Sequence, residues 1–201
     1  MYMQERCHQG EAAGRPREEA KWKAVQSPRV VLITPKYPPN PSGYGNQAYA
    51  VNEQLLDRIP MWLATPGGGP QPMKEAHHRA GSASPVPKEP GVHERTSWIA
   101  RTCAWLVRHR YEYDIIHILG GFGWSVPFVL VGKVLRKPTV VKIISREVDN
   151  PGHGTLLRRL RIRVLRHATA LVVLSEHARN SALGWGFKPE QLRRIPNGVD
   201  V

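Results

Sequence analysis

The hydrophobic residues of this chain fall in short runs that alternate between strand spacing and helix spacing. The clearest example is RVVLITPKYPPNPSGYGNQAYAVNEQLL, residues 29–56. Its residues 30–34 form a β-branched apolar run, typical of a strand that is buried on both faces of a parallel sheet. Four prolines end that run. A helix is then predicted from about Asn46, because apolar residues recur at helical spacing, namely Ala48, Val51 and Leu55.

The same alternation continues to the end of the chain. Further strands are predicted at residues 61–65, 114–119, 139–144, 170–174 and 192–195. Further helices are predicted from Ser97 to the basic stretch 108–110 and at 126–135, 156–167 and 176–184. Strands that alternate with helices indicate right-handed βαβ crossovers. The pattern therefore predicts an α/β fold with a Rossmann-like, doubly wound, mainly parallel sheet and helices on both faces.

This pattern also sets the expected domain boundaries. Residues 1–27 are polar and without periodicity, so we expect a poorly ordered leader. Residues 28–195 are expected to form one Rossmann-like domain. It contains a loop-rich insert at 66–96, because Pro, Gly, Ser and His dominate from Pro66 to Gly91.

The charge of the chain narrows the classes of partner. Lys and Arg number 29 against 16 Asp and Glu, which gives a net charge of +13. Residues 133–166 hold ten of the basic residues and two acidic ones. Such a field favours anionic membrane surfaces or phosphates, although a solvated basic face without a partner would look the same. No nucleic-acid partner is expected, because no recognised nucleic-acid motif is present.

The helix predicted at 156–167 carries the centre of this charge. Leu157, Leu160 and Val164 lie along one side, and Arg159, Arg163 and Arg166 along the other. It suits either contact with an anionic membrane surface or an ordinary surface position on the sheet. We expect its apolar side to support the fold in either case.

Cysteine and histidine usage argues against metal and disulfide chemistry. Cys7 and Cys103 are the only cysteines, and neither lies in a metal-ligand spacing. Apart from Glu75, His77 and His78 have no nearby acidic or cysteine residue, so we expect a solvated loop and no metal site. The first residues lack the apolar core of a signal peptide, and no run reaches the length of a membrane span. The sequence thus predicts a cytoplasmic protein.

Candidate site residues follow several of the predicted strands. In a parallel sheet, ligands bind beyond the carboxyl ends of the strands. The residues at those ends are Ser42, Gly43, Tyr44, Gly45, Gly120, Gly121, Ser145, Arg146 and Ser175. A small-residue turn at a helix N-terminus, as at 42–45, can also cradle a phosphate. Taken singly, Gly120-Gly121 also fits a tight strand exit, and Ser175 a helix N-cap.

His117 is a separate case, because it lies within a predicted strand. We expect a packed, hydrogen-bonded core histidine there and assign it no catalytic role.

Three blocks of sequence resemble a known family. They are VVLITPKYPPNPSGYGNQAYAVNEQLL, YDIIHILGGFGWSVPFVLVGKVLRKPTVVKII and ATALVVLSEHARNSALGWGFKPEQLRRIPNGVDV. In this order they are similar to the N-terminal domain of family 4 glycosyltransferases, the retaining group with the GT-B fold of two facing Rossmann-like domains. The last block is the most specific, because its strand, helix and Pro-Asn-Gly-Val-Asp match together.

The resemblance implies a division of labour between two domains. The N-terminal domain binds a sugar or lipid-linked acceptor, and its glycine loop approaches the phosphates of a nucleotide sugar, which is a co-substrate and not a cofactor. Pro196, Asn197, Gly198 and Asp200 mark the interdomain hinge within residues 196–201. The donor-binding C-terminal domain, expected after that hinge, is absent from this sequence and could lie on a separate chain.

Two departures from the family pattern affect the candidate site. The usual Gly-Gly pair is Ser42-Gly43, with Gly45 where an acidic residue is frequent. Ser145 stands where many members place a histidine that positions the reacting sugar.

Two functions therefore stay open on the sequence. The first is the acceptor-side half of a retaining glycosyltransferase, inactive alone. The second is a non-catalytic module that binds anionic membranes through its basic face, in which case the protein would be peripheral on the inner face of the membrane.

Overall fold

The computed structural model describes residues 27–38, 42–66, 70–76, 91–120, 123–143 and 155–197. The strands are β1 (Val30–Ile33), β2 (Met61–Ala64), β3 (Gln71–Pro72), β4 (Ile115–Leu119), β5 (Thr139–Lys142), β6 (Ala170–Val173) and β7 (Leu192–Arg194). The helices are α1 (Gly43–Leu55), α2 (Val92–Arg108), α3 (Val126–Val134), α4 (Thr155–Leu165) and α5 (Glu176–Gly184). A short helical turn at 73–76 and a 3₁₀ helix, Pro189–Gln191, complete the described structure.

The strands form one seven-stranded sheet in the order β3-β2-β1-β4-β5-β6-β7. Every pairing is parallel except that of β3 with β2. The chain thus runs outward from β1 to one edge and then returns to build the other half. This order confirms the predicted Rossmann-like, mainly parallel sheet.

One face of the sheet carries the larger hydrophobic core. Alternate strand residues such as Val31, Ile116 and Val141 point to this face and are at most 1% exposed. Helices α2, α3, α4 and α5 contribute their buried side chains to the same cluster, including Trp98, Phe128, Leu165 and Ala182. On this face, the four helices pack against the sheet and bury its side chains.

The opposite face carries a smaller core. Leu32 and Leu119 point to that side, where they meet Ala48 of α1 and Met73 of the short helical turn. Among the described residues, α1 and the turn at 73–76 are the helical segments that enter this cluster. They pack over β1, β2 and the end of β4.

Most predicted elements are confirmed within one or two residues, and three differ. Helix α1 begins at Gly43 and not near Asn46, because Ser42 caps it and the small residues form its first turn. Helix α2 begins at Val92 and not at Ser97, since its first residues are exposed and give no apolar period. Within the predicted loop at 66–91, residues 71–72 pair as β3 and 73–76 are helical.

Several other predictions fall outside the described residues. They concern residues 1–26 of the predicted leader, the pair His77 and His78, and the end of the fourth predicted strand at Ile144.

Candidate functional site

A cavity of about 400 Å³ lies between α1 and the sheet, near the carboxyl ends of β1, β4 and β5. Its walls are mainly apolar. The sheet contributes Leu32, His117, Leu119 and Lys142, and α1 contributes Gly43, Gln47, Ala48, Val51, Asn52 and Leu55. Met61, Gly120, Leu174 and Asn197 complete the lining. The volume and the apolar lining are typical of small-molecule sites.

Lys142, the last residue of β5, is the charged residue of this lining. Its half-buried ammonium group donates to Gln47 Oε1 at 2.6 Å and to Asn197 Oδ1 at 3.2 Å. Both partners are neutral amides. Burial lowers the pKa of Lys142, because the charged form loses hydration that neutral partners replace only in part. Sequence reasoning missed this residue, although a lysine in the apolar run Thr139–Ile143 was a visible signal.

His117 lies one strand away from Lys142 on the same face of the sheet. It pairs with Leu32 on one side and with Val140 on the other. Its ring lines the cavity, and its buried Nε2 has no hydrogen-bond partner among the described residues. The predicted core position of His117 agrees with the burial of its ring nitrogen, whereas the predicted hydrogen bond is absent at Nε2, because Nε2 lies in the wall of the cavity.

The electrostatics of His117 follow from this position. Burial, and to a lesser extent the nearby Lys142 charge, lower the pKa of His117 to about 4. The imidazole is thus neutral at neutral pH and can either donate or accept one hydrogen bond at Nε2, depending on its tautomer.

The small-residue turn divides into residues that face the cavity and residues that do not. Gly43 lines the cavity, and a Cβ there would meet no atom within 4 Å. Ser42 caps α1 by accepting a hydrogen bond from Gly45 N at 3.0 Å. Gly45 is buried, and a Cβ there would lie 3.0 Å from Lys36 O. The backbone of Tyr44 lies in the first turn of α1.

Two further predicted site residues lie at the cavity. Gly120 ends β4 with φ 82°, a conformation that favours glycine, and its N–H donates to Lys142 O. Asn197, from the predicted hinge, reaches the cavity through its contact with Lys142. Pro196 precedes it and is exposed. Gly121, Ser145, Arg146, Gly198 and Asp200 lie outside the described residues.

Ser175 serves as a helix cap. Its side chain accepts a hydrogen bond from Ala178 N at 3.1 Å and so begins α5. The neighbouring Leu174 lines the cavity, whereas Ser175 is not part of the lining. The helix-cap interpretation of the serine thus accounts for its contacts.

A second feature, which we call the α4 surface, lies on the opposite side of the sheet. Leu156, Leu157 and Leu160 are 81%, 50% and 57% exposed, whereas Leu165 is fully buried. Arg159 and Arg163 lie among these leucines and have no carboxylate partner within the part of the chain that the structure describes. The expectation that Leu157 and Leu160 support the fold is wrong, because the last turn of α4 makes most of the contact with the core.

Sequence comparison assigns this architecture to a family. The family described as glycosyl transferase 4-like domain matches residues 29–198. The chain belongs to this family. Among curated proteins, none matches the chain in sequence. Within the described residues, no helix is long and apolar enough to cross a membrane.

Solved structures confirm the fold of this glycosyl transferase 4-like domain. The chain is similar to Anabaena Alr3699/HepE in complex with UDP and glucose, with a TM-score of 0.57 and 16% identity. The match covers 86% of this chain and 45% of that one. The UDP-GlcNAc 2-epimerase from Methanocaldococcus jannaschii matches with a TM-score of 0.52 and 14% identity, over 84% of this chain and 45% of the epimerase. The chain thus spans less than half the length of these relatives.

Proposed function

We propose that this chain is the acceptor-side half of an enzyme that transfers a sugar from a nucleotide sugar to an acceptor hydroxyl with retention of configuration. The observation that carries the proposal is a convergence of separate motifs. Gly43, Gly120 and Asn197 come from three distant blocks of sequence and line one cavity at the carboxyl ends of the strands. Such sheet edges are where α/β folds bind ligands.

The reaction requires protein groups on two sides of the bound substrates. The bond between the anomeric carbon of the donor sugar and its phosphate oxygen breaks, the acceptor oxygen bonds to that carbon on the same face, and the acceptor proton leaves with the nucleotide. Stabilising the departing phosphates takes positive charge and backbone N–H groups close to them. The first turn of α1 offers N–H groups on this side, and we assign the nucleotide to a second, donor-binding half.

This assignment leads to a direct test. The chain alone and the chain together with the polypeptide encoded downstream of codon 201 would be incubated with a panel of nucleotide sugars and of sugar and lipid-linked acceptors. We expect transfer only when both halves are present, with the anomeric configuration retained by NMR of the product. Robust transfer by the chain alone would contradict the proposal, and so would the absence of transfer when both halves are present.

The α4 surface favours a second candidate function, binding to anionic membranes. Exposed leucines next to arginines without carboxylate partners suit the boundary between lipid headgroups and acyl chains. In this function the leucines enter the acyl region and the arginines contact lipid phosphates. The membrane would then hold the domain close to a lipid-linked acceptor, so the two functions are compatible.

Vesicle sedimentation tests this second function. The wild type is expected to sediment with vesicles of phosphatidylcholine and phosphatidylglycerol, and not with phosphatidylcholine alone. Replacing both Leu157→Ser and Leu160→Ser should weaken binding by about thirtyfold or more, since each leucine buries apolar area worth roughly 1–2 kcal/mol. Arg159→Gln removes one positive charge from the α4 surface. Its matched control is Arg58→Gln, because Arg58 is exposed after α1, on the other side of the sheet. Equal binding to both vesicle types, or equal losses in the two arginine variants, would remove the membrane function.

A further inference from the structure

The cavity beside α1 contains the positive charge of Lys142, and no described residue of its lining carries a compensating negative charge. No Asp or Glu occurs among the described residues that line it. Lys142 is held there by two amide oxygens, at 2.6 and 3.2 Å. A half-buried ammonium group without a counter-ion loses hydration and gains little in return, so an anion that entered the cavity would be stabilised strongly.

A second unpartnered group lies beside it. His117 lines the same cavity, and its buried Nε2 has no hydrogen-bond partner within the described part of the chain. Buried polar atoms are usually paired, so an orphan in a cavity wall is a place where a ligand atom can bind. The imidazole and the ammonium group sit on neighbouring strands and on one face of the sheet.

The other residues that line the cavity are mainly apolar. Leu32, Leu119 and Leu174 come from the sheet side, and Ala48, Val51 and Leu55 come from α1. Val51 is 51% exposed, so apolar surface continues to the outside of the helix. An inorganic ion would fill little of this space, and an uncharged apolar molecule would leave Lys142 without a counter-ion.

From this combination we propose that the cavity binds an amphipathic anion, with a phosphate or carboxylate at Lys142 and His117 and an apolar body along α1. This ligand is the acceptor, or the part of the acceptor that anchors it, and the inference in that respect rests on the function proposed above. A lipid phosphate and a soluble aromatic phosphate share the required chemistry.

Calorimetric titration of the 201-residue chain with four probes tests the proposal. Octyl phosphate and phenyl phosphate carry both features, octyl glucoside has only the apolar chain, and inorganic phosphate has only the charge. We expect at least one of the organic phosphates to bind about tenfold more tightly than either single-feature probe, since a hydrogen bond to a charged group adds to the contribution of the apolar body. A preference for octyl phosphate assigns a lipid-like source, and a preference for phenyl phosphate a soluble one.

Two lysine variants locate the site. Lys142→Met keeps the length of the side chain and should abolish the advantage of the organic phosphate over octyl glucoside, while Lys188→Met, at an exposed position far from the cavity, should leave it unchanged. His117→Phe should weaken the organic phosphate a few-fold. Circular dichroism shows whether each variant is folded, and NMR of the His117 ring reports contact with the probe without relying on any variant.

The outcomes separate this inference from the proposed function. Equal affinities for octyl phosphate and octyl glucoside, an equal effect of the two lysine variants, or an undisturbed His117 ring would overturn the inference. If sugar transfer to neutral acceptors occurs nonetheless, the proposed function stands and the acceptor class is wrong. Binding of the organic phosphate without transfer by the combined halves would overturn the proposed function alone.

Discussion

Asp114 shows how one residue joins two strands that lie far apart in the sequence. Its carboxylate accepts hydrogen bonds from Arg29 N, Nε and Nη2, and Arg29 O accepts from Asp114 N and Ile115 N. The ends of β1 and β4 are thereby fixed in register. These contacts to Arg29 lower the pKa of Asp114 to about 2.

The pH dependence of this pair has a definite sign. A depressed carboxyl pKa stabilises the fold above the unfolded value of 3.8 and loses that contribution as the pH falls through about 2. Because both side chains are about 40% exposed, screening limits the contribution to roughly 1 kcal/mol or less. Urea unfolding of Asp114→Asn should show reduced stability at pH 6 and a smaller further loss towards pH 2 than the wild type. Equal stability at pH 6 would show that the pair contributes nothing.

His117 makes the free energy of unfolding depend on pH in a different range. The unfolded imidazole binds a proton near pH 6.5, whereas the folded one stays neutral down to about pH 4, with Lys142 as the charge that faces it. The unfolded state therefore binds more protons between these values, and the free energy of unfolding falls as the pH falls from 6.5 to 4. His117→Gln should flatten this part of the stability curve. An NMR titration that places the pKa of His117 near 6.5 would contradict the argument.

Among the elements, α3 depends on one glycine for its approach to β5. A Cβ on Gly132 would overlap Thr139 Oγ1, which donates to Lys137 O, and Thr139 is buried. Gly132→Ala should lower stability by about 1–3 kcal/mol through overpacking. Gly184→Ala is the control, because a Cβ there meets no atom within 4 Å, and it should be neutral or gain up to about 1 kcal/mol in helix propensity. Thermal unfolding of both variants measures the difference, and similar shifts would refute the packing argument.

Helix α5 depends on its N-cap. Ser175→Ala should cost about 1 kcal/mol, because Ala178 N loses its acceptor, while Ser175→Asp should restore most of the stability. Neither variant should change the affinity for the probes of the cavity, since Ser175 is outside the lining. A loss of affinity in both variants at unchanged stability would instead return Ser175 to the binding site.

The elements also show what sequence patterns could and could not predict. Buried strands such as β1 and β6 are continuous apolar runs that contain β-branched residues, so their positions followed directly from the sequence. Strand β3 has two residues, one of them Pro72, and gives no pattern at all. The first turn of α2 is exposed on every side, so the apolar period begins only at Trp98. Hydrophobic patterns identify residues that are buried, and both β3 and the first turn of α2 bury few residues.

On the scale of the whole molecule, the candidate site depends on how α1 packs against the sheet, because the cavity lies between them. Alternation along β4 places His117 on one face, but it does not tell whether that face is packed or open. The same limit applies to Lys142, because a polar residue at a strand end usually faces water. Two of the four predicted glycines, Gly43 and Gly120, line the cavity, because backbone turns can be predicted from local sequence, whereas the two side chains that give the cavity its chemistry required the tertiary fold.

At this scale, the net charge of +13 predicts that binding to anionic vesicles depends on the salt concentration. Attraction between the α4 surface and an anionic vesicle acts through water and is screened over about 10 Å in 0.1 M salt and about 3 Å in 1 M salt. Raising NaCl from 0.1 to 1 M should therefore release most of the wild type from phosphatidylglycerol vesicles. The wild type and Leu157→Ser/Leu160→Ser would be compared at each salt concentration. Binding that is indifferent to salt would show that the arginines take no part.

The contact between Lys142 and Asn197 has a consequence for how the proposed anion site would be linked to the C-terminal segment of the described structure. One ammonium group holds both the interior of the domain, through Gln47, and the segment by which the chain leaves it. An anion that draws this group away from Asn197 weakens the attachment of the outgoing segment. Because linked equilibria are reciprocal, any force on that segment that breaks the contact also changes the affinity for the anion by the same factor. If the cavity binds the proposed anion, its occupancy and the position of Asn197 are thus thermodynamically coupled.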